Sequence, residues 1–232
     1  MKKRSAFDEK KALYGENPVY ISKLLDPYTV KIAKVMYNLG FTPNIITLLN
    51  LFLGLIGIAM MFLIKNFYGL LIAAILITLR NIGDTVDGKV ARGGNMKTPI
   101  GGFLDLVSDW IIFHAFFFIA IGFLTEHIIV GFICVIGYMS REFTRRQFTK
   151  SYGSKITKTE VVKKMPLIVS LARKYDLASA LWIWPFVLLV YPAFIIYATA
   201  IIEYVLLTGE LALDIILLLK KKNKYIFNHT FT

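Results

Sequence analysis

Residues 84–109 read DTVDGKVARGGNMKTPIGGFLDLVSD, and this stretch lies between two long apolar runs. It carries four aspartates, at positions 84, 87, 105 and 109. The first two are three residues apart and the last two are four apart, so each pair shares one face of a helix. An unpaired carboxylate at the end of a membrane helix is costly, so these side chains require a partner of opposite charge.

The residues between the two pairs predict a reversal of the chain. Gly93-Gly94-Asn95 and Thr98-Pro99 are typical of a turn that returns the second helix beside the first. All four carboxylates would then converge, and their mutual repulsion requires either protonation or bound cations. Hard divalent ions that prefer oxygen ligands, Mg²⁺ or Mn²⁺, suit a site made of carboxylates.

The composition indicates an integral membrane protein. Of the 232 residues 56% are hydrophobic, and the formal net charge is +12. Apolar runs near 20 residues recur, which predicts a single polytopic all-α membrane domain. The first 18 residues are polar and charged, so we expect no secretory signal there. Cys134 is the only cysteine, which excludes a disulfide within the chain.

The apolar runs predict six transmembrane helices, preceded by an amphipathic helix that lies along the cytoplasmic interface. We expect residues 1–18 to be a disordered tail and residues 223–232 a C-terminal tail. The interfacial helix covers 19–40, where Asp26-Pro27 resembles a cap and first-turn signal; a helix in a soluble core is the alternative reading. The membrane domain covers 41–222, with spans at 44–64, 68–91, 100–124, 127–148, 177–191 and 193–218.

The positive charges predict the orientation in the cell membrane. With these spans, 26 of the 27 Lys and Arg residues fall on one side, and Lys65 alone falls on the other. Positive residues favour the cytoplasmic side, so both termini and the aspartates are expected to face the cytoplasm. This distribution argues for a membrane surface and against a nucleic-acid partner.

Two further groups of polar residues border the spans. Thr42 is suited to cap the first span and Pro43 to occupy its first turn, which leaves Asn44 and Thr47 at the cytoplasmic mouth. The apolar part of the fourth span, 128–139, is only about 18 Å long at 1.5 Å per residue. That helix must therefore continue through Arg141 and Arg145, which either snorkel to the interface or face inward and bind an anion.

The spacing of the motif resembles the signature of the CDP-alcohol phosphotransferase family, integral membrane enzymes of phospholipid head-group synthesis. The resemblance also covers 42–44 and the six spans. The matching residues are Asp84, Asp87, Gly88, Ala91, Arg92, Gly101, Asp105 and Asp109.

The resemblance implies a role for each matching residue. Asp84, Asp87 and Asp105 would bind two divalent cations, and Asp109 would both touch the second metal and act as general base. The border of the cytidine nucleotide would be formed by Asn44, Gly88, Ala91, Arg92 and Gly101. The reaction would transfer a phosphatidyl-type group from a CDP-linked lipid to the hydroxyl of a small polar acceptor and release CMP.

The acceptor is less well defined by the sequence. Arg141 and Arg145 are candidate ligands for an acceptor phosphate, which favours a phosphorylated polyol such as glycerol 3-phosphate or inositol phosphate. Serine, or CDP-choline or CDP-ethanolamine with a neutral lipid, remain alternatives, and the donor is either CDP-diacylglycerol or CDP-archaeol. The family also implies a homodimer. A cation transporter is a distant alternative, because carboxylates within the membrane also mark ion pathways.

Overall fold

The computed structural model describes residues 5–13, 20–152, 180 and 182–230. Every regular element in these ranges is helical, which confirms the predicted all-α class for the described part of the chain. The elements are α1 Glu9–Ala12, α2 Tyr20–Asn38, α3 Pro43–Leu63, α4 Phe67–Gly93, α5 Pro99–Asp109, a π-helical segment Trp110–Phe117, α6 Phe118–Leu124, α7 Ile128–Tyr152, α8 Trp184–Val190 and α9 Pro192–Thr230.

Within the described part of the chain, three helices are long and apolar enough to cross a membrane: α3, α4 and the Pro192–Ile216 part of α9. The predicted third span, 100–124, corresponds to three consecutive helical segments: α5, the π-helical segment and α6. The predicted fourth span, α7, includes charged residues from Arg141 onward. The six-span arrangement therefore remains a prediction.

Helices α3 and α4 form an antiparallel pair whose contacts depend on glycine. A Cβ at Gly83 would lie 1.9 Å from the side-chain oxygen of Asn50, and one at Gly57 would lie 3.2 Å from a side-chain carbon of Ile77. Small residues let two helix backbones approach closely. This close packing sets the position of the C-terminal half of α4, which carries Asp84 and Asp87.

The apolar core lies beyond the aspartate motif, where α3, α4, the π-helical segment, α6, α7, α8 and α9 meet. Its fully buried side chains include Met61, Ile77, Ile112 and Phe118. A second, smaller cluster joins α2 to α3 and α4 through Tyr37, Ile46, Val86 and Val90. Val86 and Val90 thus anchor the motif-bearing end of α4 in the second cluster.

Helix α2 runs without interruption through Pro27, so the expected cap at Asp26-Pro27 is wrong. Asp26 Oδ1 instead forms an ion pair with Nζ of Lys89 on α4, at 2.8 Å. Both side chains are largely buried. The opposite face of α2 exposes apolar side chains at helical spacing. They are Leu24, Tyr28, Ile32, Val35 and Leu39.

The N-terminal residues differ from the expected disordered tail wherever they are described. Residues 5–13 include α1 and lie against the C-terminal end of α4. Asp8 caps α1 by accepting a hydrogen bond from the backbone N–H of Lys11 at 3.0 Å, and Ala12 is fully buried. The apolar contacts of Phe7 and Ala12 explain why this polar segment is ordered.

Candidate metal and nucleotide site

The predicted turn between α4 and α5 is present and has the expected chemistry. Helix α4 ends at Gly93, and Asn95 adopts a positive φ of 51°, a conformation that asparagine tolerates well. Thr98 then caps α5 by accepting a hydrogen bond from the N–H of Gly101 at 3.0 Å, and Pro99 is the first residue of the helix. This short connection places α5 beside the C-terminal end of α4.

Three of the four aspartates converge at this junction. Carboxylate oxygens of Asp84, Asp105 and Asp109 all lie within 4.8 Å of one another. Each of the three residues is partly buried, so water does not fully screen the repulsion among their carboxylates. The carboxylates are also too close together for distance to weaken that repulsion. An all-carboxylate group of this size matches the ligands that Mg²⁺ and Mn²⁺ prefer.

A buried arginine faces the same three aspartates. The Nη2 atom of Arg80 lies 3.0 Å from Asp84 Oδ1, one helical turn away, and also donates a hydrogen bond to Asp109 Oδ1. Only 2% of the Arg80 side chain is exposed. Its guanidinium supplies part of the positive charge that the aspartates require, and it ties α4 to the C-terminal end of α5.

Asp87 lies beside this group of three and has a different environment. It is almost fully buried and accepts a 2.6 Å hydrogen bond from the hydroxyl of Thr47 on α3. A cavity of about 280 Å³ connects Asp87 with Asp105. Its lining is drawn from α3, α4, the turn and α5: Pro43, Asn44, Thr47, Asp87, Gly88, Ala91, Arg92, Met96, Lys97, Thr98, Gly101, Gly102 and Asp105.

The small residues of the motif keep this cavity open. A Cβ at Gly88 would meet only the flexible end of Arg92, at 3.1 Å. A Cβ at Gly101 would lie 2.8 Å from the side-chain oxygen of Asn44, so Gly101 makes room for α3 and not for close packing on α4. The expected nucleotide residues Asn44, Gly88, Ala91, Arg92 and Gly101 thus line one continuous space.

The chain matches the model of the CDP-alcohol phosphatidyltransferase family over residues 41–216. It belongs to that family. The match begins just before α3 and continues into α9, so it includes every residue of the aspartate cluster and of the cavity. Members of this family are transferases that move a substituted phosphate group, and the acidic cluster agrees with their dependence on divalent cations.

A curated relative is an uncharacterized protein from Aquifex aeolicus (strain VF5). It is 39% identical to this chain over 90 residues, which is 39% of this chain and 42% of the relative. The aligned part of the chain therefore spans less than half of that relative, whose description adds no activity.

Arg141 of α7 forms ion pairs with two glutamates of α9. Its side chain is 4% exposed and donates to Glu203 at 2.8 Å and to Glu210 at 3.4 Å, so of the two alternatives the snorkelling one does not hold for Arg141. These ion pairs join α7 to α9 and give the fully buried Glu203 a partner of opposite charge. The side chain of Arg145 and residues Lys155 and Lys158 lie outside the described part.

Sequence reasoning missed two contributors to the site. Arg80 was counted only as a cytoplasmic charge, although its i,i+4 spacing to Asp84 is a recognisable signal for an ion pair on a helix. Thr47 was noted as polar but given no role. Its bond to Asp87 joins residues 40 positions apart and has no local signal in the sequence.

Proposed function

We propose that this protein transfers a phosphatidyl-type group from a CDP-linked lipid to the hydroxyl of a small polar acceptor and releases CMP. The observation that carries the proposal is the convergence of Asp84, Asp105 and Asp109 next to the glycine-lined cavity. Carboxylates alone cannot hold a diphosphate, since like charges repel. Together with divalent cations they can.

We assign the metal ligands to Asp84, Asp87, Asp105 and Asp109, which would hold two Mg²⁺ or Mn²⁺ ions. The partly buried, all-oxygen donor set fits such ions. Bound there, the ions would neutralise the diphosphate of the donor and stabilise charge on its leaving group. Thr47 orients Asp87, and Arg80 orients Asp84 and Asp109 through the contacts described above.

We place the nucleotide of the donor in the cavity. Gly88 and Ala91 are about one turn apart on α4 and present little side chain, so a nucleotide can lie against the backbone. Arg92 can pair with a phosphate oxygen through charge-assisted hydrogen bonds. Asn44 and Gly101 form the facing wall, where the Asn44 side chain occupies the space that a Cβ at Gly101 would fill.

Asp109 is our candidate for the general base. Its carboxylate accepts the proton of the acceptor hydroxyl while the hydroxyl oxygen attacks the phosphorus that is bonded to the lipid alcohol. A new oxygen–phosphorus bond forms, and the bond from this phosphorus to the bridging oxygen breaks. CMP leaves with that electron pair.

The proposed acceptor is a phosphorylated polyol, held by cations of α7. Arg145 remains a candidate ligand, whereas the ion pairs of Arg141 favour a role in joining α7 to α9. Arg146 approaches the site, since its guanidinium lies 5.8 Å from the ring centroid of Trp110, the residue that follows Asp109. Serine and the choline or ethanolamine branch stay as alternatives.

The membrane arrangement is also a proposal. We place α2 along the cytoplasmic interface, because its exposed apolar stripe faces away from α4 and suits lipid contact. Six spans are proposed from the apolar runs. Cytoplasmic termini and an active site that opens to the cytoplasm follow from the distribution of Lys and Arg over those spans. A homodimer is proposed from family membership alone.

The test is CMP release by purified protein in detergent, supplied with CDP-diacylglycerol or CDP-archaeol and with Mg²⁺ or Mn²⁺. The acceptors compared are glycerol 3-phosphate, inositol phosphate, inositol, serine and a diradylglycerol with CDP-choline. We expect metal-dependent CMP release that is fastest with a phosphorylated polyol. A cation transporter would release no CMP with any acceptor, and that outcome would refute the proposal.

A further inference from the structure

Residues 5–13 lie across the end of α4 and have no role in the function proposed above. We call this segment the N-terminal strap. The ring of Phe7 packs on Tyr37 with centroids 5.4 Å apart. The backbone N–H of Asp8 donates to the carbonyl of Gly93 at 3.0 Å. A Cβ at Gly93 would lie only 2.5 Å from the Phe7 ring, so this glycine lets the strap sit directly on the helix.

The other end of the strap is bonded to a cavity residue. Nε of Arg92 donates to the carbonyl oxygen of Ala12 at 3.0 Å, a hydrogen bond between residues 80 positions apart. Glu9 pairs with Lys34 of α2 at 2.6 Å. The strap is therefore fixed to α2 and α4 at several points, and one of these points is the guanidinium that we place beside the nucleotide.

Between the strap and the turn after α4 lies a second cavity, of about 380 Å³. Its lining is Lys11, Ala91, Arg92, Asn95 and Lys97, three cations and no carboxylate. Ala91, Arg92 and Lys97 also line the cavity that contains Asp87 and Asp105, so the two cavities are neighbours that share three wall residues.

The carboxylates of the strap compensate little of the charge of Lys11. A carboxylate oxygen of Asp8 lies 4.0 Å from Nζ of Lys11, and both side chains are exposed. An exposed ion pair at this distance neutralises little of the lysine charge. Glu9 is engaged with Lys34. A concave space with three cations on its walls attracts an anion of matching size, and oxyanions are the ligands that lysine and arginine bind best.

We propose that the strap completes a binding pocket for a phosphate-type anion and that Lys11, with Arg92 and Lys97, contacts it. The proposal rests on the proposed function, because the anion belongs to a substrate of the same site. It is either the diphosphate region of the CDP-linked donor or the phosphate of a phosphorylated acceptor.

The test compares Lys11→Ala with Lys10→Ala in the full-length protein in detergent. Lys10 is an exposed neighbour that does not line the pocket, so it controls for the loss of one positive charge in the strap. Kinetics are measured while donor and acceptor are varied separately. We expect Lys11→Ala to raise one KM by fivefold or more with kcat changed less than twofold, and Lys10→Ala to leave both KM values unchanged. A raised donor KM identifies the CDP-lipid as the source of the anion, and a raised acceptor KM identifies the acceptor.

Calorimetric titration with inorganic phosphate and with CMP gives a readout that does not need turnover. We expect Lys11→Ala to weaken binding of at least one of these probes by fivefold or more. This measurement does not require the acceptor to be known. Absence of CMP release with intact probe binding would refute the proposed function alone. Unchanged probe affinities and unchanged KM values in Lys11→Ala would refute the pocket.

Phe7→Ala tests the position of the strap without changing the charge of Lys11. Removing the ring should detach the strap from Tyr37 and Gly93 and raise the same KM as Lys11→Ala. Since both changes act on one contact, the double variant should be no worse than Phe7→Ala alone. Fully multiplicative effects would show that Lys11 acts elsewhere and would overturn the proposal.

Discussion

Replacing Arg80 by methionine removes the buried cation that faces Asp84 and Asp109. The Arg80 side chain is 2% exposed, whereas those of the two aspartates are 30% and 39% exposed. Removing one partner of a buried ion pair costs about 3–5 kcal/mol, and the partial exposure of the carboxylates places the expected loss near the lower end, at about 3 kcal/mol. For a chain of this size that corresponds to a fall in Tm of about 6–12 °C.

The assay is thermal unfolding in detergent, with EDTA and with saturating Mg²⁺. Divalent cations should restore most of the lost stability, because they supply the positive charge that the variant lacks and bind only the folded cluster. Arg146→Met is the control, since its pair with Glu142 is half exposed and should change the free energy of unfolding by about 1 kcal/mol or less. If Arg80→Met melts within 2 °C of the wild-type protein in EDTA, the ion pair does not stabilise the cluster.

Three further changes probe the site. Asp109→Asn should abolish CMP release, because it removes the proposed base at constant size, and should lower Tm by less than Arg80→Met does, since Arg80 keeps its pair with Asp84; substantial retained turnover would exclude the base role. Gly101→Ala should raise the donor KM at least tenfold, since the added Cβ would lie 2.8 Å from the side-chain oxygen of Asn44. Gly209→Ala is the control and should behave as wild type, because a Cβ there would meet no atom within 4 Å. Arg141→Ala should lower Tm by about 6 °C or more through the loss of a buried pair; a raised acceptor KM with an unchanged Tm would restore its acceptor-binding role.

Local spacing made much of the site predictable. Thr42 and Thr98 are the caps that their sequences indicate, and the turn after Gly93 forms where glycine and asparagine permit it. Positions three or four residues apart on a helix are neighbours whatever the helix packs against. The aspartate pairs therefore could be placed on common faces before any tertiary contact was known.

Contacts between helices were not predictable in the same way. Lys89 pairs with Asp26, and Arg141 with Glu203, across 62 residues or more of sequence. In a soluble helix the apolar stripe shows which face is buried, but a helix that is apolar on nearly every side gives no such signal. Its rotation is decided by close packing, as at Gly83 against Asn50.

The sequence by itself thus determined the helical class, the turn that brings two acidic helix ends together and the residue types around the proposed divalent-cation site, because each depends on spacing along one or two adjacent helices. Only the tertiary structure decided that Arg80 faces three of the aspartates, that Arg141 serves the α7–α9 contact and that the N-terminal strap reaches the cavity. These choices depend on how helices rotate and pack against one another, and the free energy of that packing is spread over residues far apart in the chain.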